Sequence, residues 1–324
     1  MSTTSIALTT YNGSRYIEDQ IRSLLSQSKI PDQLLISDDF SQDGTLAKIT
    51  PILEDLDLNF QILTSSHNSG YTRNFERALQ YCTEDIIFCC DQDDVWFPNK
   101  IASVVSFFEK NDNIMLLIHD IEFCTETLLP TGKSKLKEIE NFYNAKRSYV
   151  TGMATAARRE FIEFCLPIPI NISYDLWIHS CAFFLDVKYI LPDILAYYRR
   201  HDSNATNSDH LNFSFNSRFR YFFKIFRKEF FNNNLSSACN LPELVLNRIC
   251  DRKDFLFKNL NLSKTRFNEI VETLYFEKYL YYEREQIKNS PFHVRVRKIH
   301  NFYSKGYYSY FSGHSSLLKD FLSL

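Results

Sequence analysis

Residues 86–96 read IIFCCDQDDVW: five apolar positions run directly into three carboxylates, Asp91, Asp93 and Asp94. A continuous apolar run without alternation suits a strand covered on both faces, as in a parallel α/β sheet. The pattern predicts a central strand over 85–91, with the carboxylates delivered at its C-terminal end. In open α/β sheets that end is where ligands bind.

The same alternation repeats on either side. SIALTTY (5–11), QLLISDD (33–39), FQILTSS (60–66) and IMLLIHDIEFC (114–124) are the other predicted strands. Between them lie helical spacings: Ile17, Ile21, Leu24 and Leu25, then 45–56, 73–82 and 98–110, with Pro51 an expected kink or early stop. Strands and helices alternating at these lengths argue for a parallel, three-layer α/β sheet. Three strand ends would then line one crevice: Thr9-Thr10-Tyr11-Asn12, Asp38-Asp39 and Asp91-Gln92-Asp93-Asp94.

Further on, the polar stretch 125–147 reads as a loop or short helix. Residues 150–169 read as a strand or turn entering a helix that ends at Pro167. SYDLWIHSCAFF (173–184) is a predicted helix with Asp175 in its first turn and Trp177 near it. A strand-like run from 189 ends in Arg199, Arg200 and His201. Past about residue 205 the pattern changes to long helix-like stretches rich in Phe, Tyr, Lys and Arg, such as 217–231 and 268–289. The expected organisation is an α/β domain over 1–205 and a mainly α-helical region over 206–324.

Charge divides the same way. Residues 206–324 carry 19 Lys and Arg against 11 Asp and Glu, whereas 1–205 carry 18 against 28, so the net charge of −2 hides an acidic front and a basic back. With 44% hydrophobic residues among 324, a large core is available and wholesale disorder is excluded. Only 7 glycines occur, and Gly13, Gly44, Gly70 and Gly152 are expected to meet backbone requirements. The 8 cysteines show no CxxC pair and no zinc spacing, which suits inert thiols in a reducing compartment. No signal peptide or spanning run is visible, so the expected location is cytoplasmic, with peripheral contact on the inner face of the membrane as an option.

Asp91 and Asp93 fall on one side of an extended chain, two hard oxygen donors suited to Mg²⁺ or Mn²⁺. Taken alone, Asp-x-Asp marks a solvated turn more often than a metal site. Three acidic strand ends in one crevice favour a compensating cation, and a divalent ion bridging a diphosphate is the better reading.

ALTTYNGSRYIEDQIRSLLSQ (7–27), LLISDDFSQDGT (34–45) and CCDQDDVWFPNKI (89–101) resemble the inverting nucleotide-sugar glycosyltransferases of family 2, with the GT-A fold. GMATAARREFIE (152–163), YDLWI (174–178) and YRRHDSNAT (198–206) extend the resemblance over roughly 3–206. The resemblance implies that Thr9, Tyr11 and Asp39 contact the nucleoside and that Arg73 holds the base or phosphates. It places Asp91 at the ribose, Asp93 on the metal with Asp94 as a secondary candidate ligand, and Asp175 as the general base. His201, with Arg199 or Arg200, would add positive or donor groups near the diphosphate. Phe40 and Tyr174 depart from the usual pattern, where a small and an acidic residue are common. DQDDVW followed by YRRH is similar to rhamnosyltransferases, which implies dTDP-rhamnose as donor with a UDP-hexose close behind.

Implied partners are a nucleoside-diphosphate sugar and a glycan or lipid-linked acceptor. The C-terminal stretch interleaves Arg218, Arg220, Lys224, Arg227 and Lys228 with Phe219, Tyr221, Phe222, Phe223 and Phe226. That mixture suits a membrane surface, packing on the α/β domain or a homo-oligomer. Nucleic acid is not expected, since no binding module appears and the front half is acidic. Two rival functions stand beside the transferase. A sugar nucleotidyltransferase would carry a Gly/Arg/Lys-rich phosphate loop, unlike TTYNGSRY. A non-catalytic scaffold would have no need of Asp39, Asp93 and Asp175.

Overall fold

The computed structural model describes residues 2–54, 58–139, 145–201, 241–311 and 313–322. These form two compact units, one of 2–201 with 252–262, the other of 241–251 with 263–322. The expected boundary near 205 and the basic, aromatic helix over 217–231 lie outside the described residues.

In the first unit, β1 (Thr4–Thr10), β2 (Gln33–Asp38), β3 (Phe60–Thr64) and β4 (Ile86–Cys90) pair in parallel in the order β3-β2-β1-β4. Helices α1 (Ile17–Leu25), α2 (Thr45–Glu54) and α3 (Tyr71–Tyr81) connect them. Both faces of β1, β2 and β4 are covered, whereas the edge strand β3 leaves Gln61 and Thr64 exposed. Ile6, Leu8, Ile36 and Phe88 are fully buried, each stabilising by roughly 1.5–3 kcal/mol relative to exposure. From α1, Ile17, Ile21 and Leu24 supply one covering stripe. Helix α2 runs through Pro51 instead of stopping there, with Ile49 and Leu53 buried on either side of it. Tertiary burial of that stripe outweighs the single backbone bond that proline forgoes.

Beyond β4 the sheet departs from the expected parallel order. The expected fifth strand is β6 (Leu116–Cys124), but it does not pair with β4. Instead β8 (Thr155–Arg158) lies antiparallel between β4 and β6. The long β9 (Lys188–Arg199) runs parallel to β6 and antiparallel to the two-residue β5 (Val95–Trp96). Within the stretch read as a loop or short helix, β7 (Pro130–Ser134) adds to the edge of β6 and leads into α5 (Lys135–Ile139). Helices α4 (Lys100–Phe108), α6 (Ala145–Ser148), α7 (Arg159–Cys165) and α8 (Tyr174–Phe184) complete the unit. Later in the chain, α10 (Lys253–Asn259) belongs to it as well. Among the described residues seven cysteines are free thiols, and all but Cys250 are buried or nearly so.

The second unit is helical: α9 (Leu241–Asp251), α11 (Lys264–Lys288), α12 (Phe292–Ser304) and α13 (His314–Leu322). Its small core joins Leu280, Ile287, Ile299, Phe302 and Tyr308. Within it Arg284 grips the fully buried Asp320 through two bonds of 2.8 and 2.7 Å. No helix among the described residues is long and apolar enough to cross a membrane.

Candidate active site

The strand order reverses at β1, which has β2 on one side and β4 on the other. Such a switch point opens a crevice at the carboxyl ends of the strands. There Gln92 holds the backbone of Tyr11 from both sides. Its Oε1 accepts the Tyr11 N–H at 2.9 Å, and its Nε2 donates to the Tyr11 carbonyl at 3.0 Å. Gly13 permits this approach, because a Cβ there would lie 2.1 Å from Gln92 Oε1. The Tyr11 ring is left exposed, and Thr9 is buried one step deeper in β1.

At the end of β2 the two aspartates do different things. Asp38 accepts from Thr10 Oγ1 at 2.7 Å and from the Ser41 hydroxyl and amide, which closes the following turn. Asp39, almost fully buried, accepts from the amides of Ser69 and Gly70 and from the Ser69 hydroxyl, at 2.7–3.1 Å. It thereby holds the 68–70 loop at the entry of α3.

The carboxylates after β4 are fixed by the end of β9. Arg199, 3% exposed, donates its backbone N–H to Asp94 Oδ1 (3.0 Å) and its Nε to the Asp93 carbonyl (2.8 Å). Its two terminal nitrogens reach the Glu126 carbonyl and Asp19. Arg199 therefore anchors the loop with its side chain, while Arg200 packs 4.0 Å from the Phe123 ring centroid. His201 Nε2 lies 2.8 Å from Asp93 Oδ2, and its ring lies tilted against Tyr16 with centroids 4.4 Å apart. Neither Gln92 nor the anchoring role of Arg199 was singled out from sequence.

Crowding raises the carboxyl pKa values. Asp91, partly open by its surface, is pushed up to about 8 by desolvation and then by the charges of Asp93 and Asp175, against a lowering by Lys100. Asp94 is raised well above the usual carboxylate range by burial, Asp93 and Asp91. Such a group of carboxylates favours a cation. Asp175 stands in the first turn of α8, as expected, and its Oδ1 accepts the Leu176 amide at 2.8 Å. Trp177 is fully buried and donates to the Cys165 carbonyl, so it packs and does not face a sugar. Arg73 donates to Glu76 and, at 3.0 Å, to the Ile168 carbonyl, which points this guanidinium toward the 166–169 loop.

Among the described residues, no three His, Cys, Asp or Glu side chains form a group able to hold a metal alone. The donor set nonetheless fits a hard divalent ion bound through one or two carboxylates plus phosphate oxygens, the usual habit of Mg²⁺ and Mn²⁺. Asp94 Oδ2 is buried with no hydrogen-bond partner among the described residues, an acceptor still to be satisfied.

Residues 5–165 match the family model described as glycosyl transferase family 2. The chain belongs to that family. This family 2 glycosyltransferase is 26% identical over 242 residues to the dTDP-rhamnosyl transferase RfbG of Shigella flexneri, covering 66% of this chain and 77% of that one. Across the first curated relatives it matches, it spans 65 to 77% of their length. Its fold is GT-A. It superposes on S. aureus TarS 1-349 in complex with UDP-GlcNAc with a TM-score of 0.60 at 14% identity, covering 99% of this chain and 89% of that one. It also superposes on the mannosyltransferase PcManGT of Pyrobaculum calidifontis, in complex with GDP-Man and Mn²⁺, with a TM-score of 0.50 at 16% identity, over 84% and 79% of the two chains.

Proposed function

We propose that this family 2 transferase moves a sugar, with inversion and with help from Mg²⁺ or Mn²⁺, from a nucleoside-diphosphate sugar to a hydroxyl of a growing surface polysaccharide or lipid-linked glycan. The observation that carries the reading is the carboxylate group Asp91, Asp93 and Asp94 at the switch point, held by Arg199 and His201. Thr9, Tyr11 and Asp39 would take the nucleotide, Asp39 through the 68–70 loop it holds, Arg73 would join them on leaving the Ile168 carbonyl, and His201 would face the diphosphate beside Asp93. The fold shared with a mannosyltransferase in complex with GDP-Man and Mn²⁺ supports the metal. Likeness to a dTDP-rhamnosyl transferase supports dTDP-rhamnose as donor, and the fold shared with a protein in complex with UDP-GlcNAc keeps a UDP-hexose in view.

Asp93, with Asp91, would hold the divalent ion, which supplies charge stabilisation to the departing diphosphate. Asp175 accepts the acceptor hydroxyl's proton as the oxygen bonds to the anomeric carbon. The anomeric carbon–oxygen bond breaks on the opposite face, and its electron pair leaves with the nucleoside diphosphate. A base so placed is typically worth about 10²–10⁴-fold.

The test is a panel of dTDP-, UDP- and GDP-sugars with Mn²⁺ or Mg²⁺ and candidate acceptors. One donor should be consumed, with turnover lost in Asp93→Ala and transfer cut in Asp175→Asn. Turnover without metal, unaffected by Asp93→Ala, would overturn the reading of the Asp91–Asp94 segment.

A further inference from the structure

Lys100 opens α4 and is fully buried, an unusual place for an ammonium. Its Nζ donates to the Met153 carbonyl at 2.8 Å and sits 3.5 Å from the centroid of the Trp96 ring, itself 2% exposed. Burying an ammonium is costly, and one charge-assisted hydrogen bond with a desolvated cation–π contact offsets that cost only in part. A methionine would fill the same space at no such cost, so stability alone gives no reason for a lysine. What the lysine adds is direction: it ties one carbonyl to one ring.

Both ends of that tie lead to the site. Trp96 is the second residue of β5, two positions after Asp94. Met153 follows Gly152, where the phenol of Tyr174 packs so closely that a Cβ would lie 1.8 Å from its hydroxyl oxygen. Tyr174 is buried, stacks on Phe75 at 3.8 Å, and immediately precedes Asp175 at the start of α8. Trp96, Lys100, Met153, Gly152 and Tyr174 thus form a continuous buried path between the two sets of carboxylates.

We infer that Lys100 is a positioning residue of the transfer reaction, a buried strut that fixes the Asp91–Asp94 loop and the Gly152–Tyr174 contact seating Asp175 in one arrangement. Its kinetic consequence rests on the reading of Asp93 and Asp175 given above.

The experiment pairs steady-state kinetics with backbone hydrogen exchange on the full chain. Lys100→Met should lower kcat at least tenfold while donor KM stays within threefold and the melting temperature does not fall. Exchange should rise in peptides covering 150–156 and 174–178. Gly152→Ala should lower kcat similarly, and adding Tyr174→Phe, which removes the hydroxyl, should restore part of it. A Lys100→Met kcat within twofold of wild type overturns the strut. If Lys100→Met does not fold, the absence of rescue in the Gly152→Ala, Tyr174→Phe pair overturns it instead. If the wild type transfers no sugar, the proposed function fails separately, and unchanged exchange at 174–178 in Lys100→Met still sinks the strut.

Discussion

Gln92 and Tyr11 hold each other across the switch point by a reciprocal pair of hydrogen bonds, 2.9 Å to the Tyr11 amide and 3.0 Å from its carbonyl. The pair spans the gap between the ends of β1 and β4, which lie side by side only because the strand order reverses there. Gly13 completes the arrangement by having no side chain. Gly13→Ala should therefore cost about 1–3 kcal/mol through overpacking and weaken nucleotide binding. Gln92→Ala in the same chain should recover much of the stability, since it removes the atoms that the new Cβ meets. Urea midpoints of the two single variants and the double variant check this. Strictly additive losses would show that the two positions do not touch.

How far these features could be read from sequence depends on the reach of each contact. The strand 85–91, its buried character and the carboxylates at its end follow from one short run, and the structure has β4 at Ile86–Cys90. Parallel pairing was legible for β1–β4 because each βα unit announces its own crossover. The antiparallel insertion of β8 was not. TAAR is too short and too plain to show that it pairs with strands some 70 and 40 residues earlier. Asp175 was readable as a first-turn residue of α8. Lys100 leaves no mark in the sequence, because its stripe partners Ile101, Val104, Val105 and Phe108 make an ordinary amphipathic helix and its own burial is tertiary. Gln92 hid among louder carboxylates.

Lys188 gives the protein a pH-dependent stability on the alkaline side. Its Nζ donates to the Tyr149 carbonyl at 2.6 Å, and burial, reinforced by Lys146, pulls its pKa from 10.5 to about 7. Between those values the folded chain has released a proton that the unfolded chain still holds. Unfolding then takes up a proton, so this lysine's contribution to stability rises with pH from about 7 toward 10.5. Below that window the buried ammonium is charged and its contribution is least favourable. Each fully titrating group adds at most about 1.4 kcal/mol per pH unit. Lys100, lowered to about 7 by burial, titrates in the same window. Lys188→Met should flatten part of the slope in chemical denaturation between pH 7 and 9.5. An unaltered slope would refute the assignment.

In the helical unit, Asp320 has both oxygens engaged by Arg284, with the Tyr308 hydroxyl adding a bond of 3.1 Å. Removing one partner strands the other charge in the core. Asp320→Ala should therefore cost about 3–5 kcal/mol, while replacing both residues by apolar ones of similar volume, Arg284→Met with Asp320→Leu, should cost far less. Thermal melts of the full chain give the loss, and backbone hydrogen exchange in peptides over 264–288 and 314–322 assigns it to this helical unit. Equal losses in the single and double variants would mean that the pair is not what holds α11 to α13.

Phe40 stores strain where the nucleotide is proposed to bind. It follows Asp39 at the end of β2 with φ +71° and a ring that is 44% exposed. A left-handed backbone costs a bulky L-residue roughly 1–2 kcal/mol, and an exposed ring recovers little of that by packing. Such strain persists where the surroundings or a ligand make use of it. Phe40→Gly relieves the backbone and should stabilise the chain by about 1 kcal/mol, less whatever the greater freedom of glycine in the unfolded state takes back. If the ring stacks on the base of the bound donor, the same variant should weaken donor affinity at least threefold by calorimetry while kcat at saturating donor is kept. A more stable variant with unchanged affinity would leave the ring outside the nucleotide site, and a less stable one would mean the ring packs more than its exposure implies.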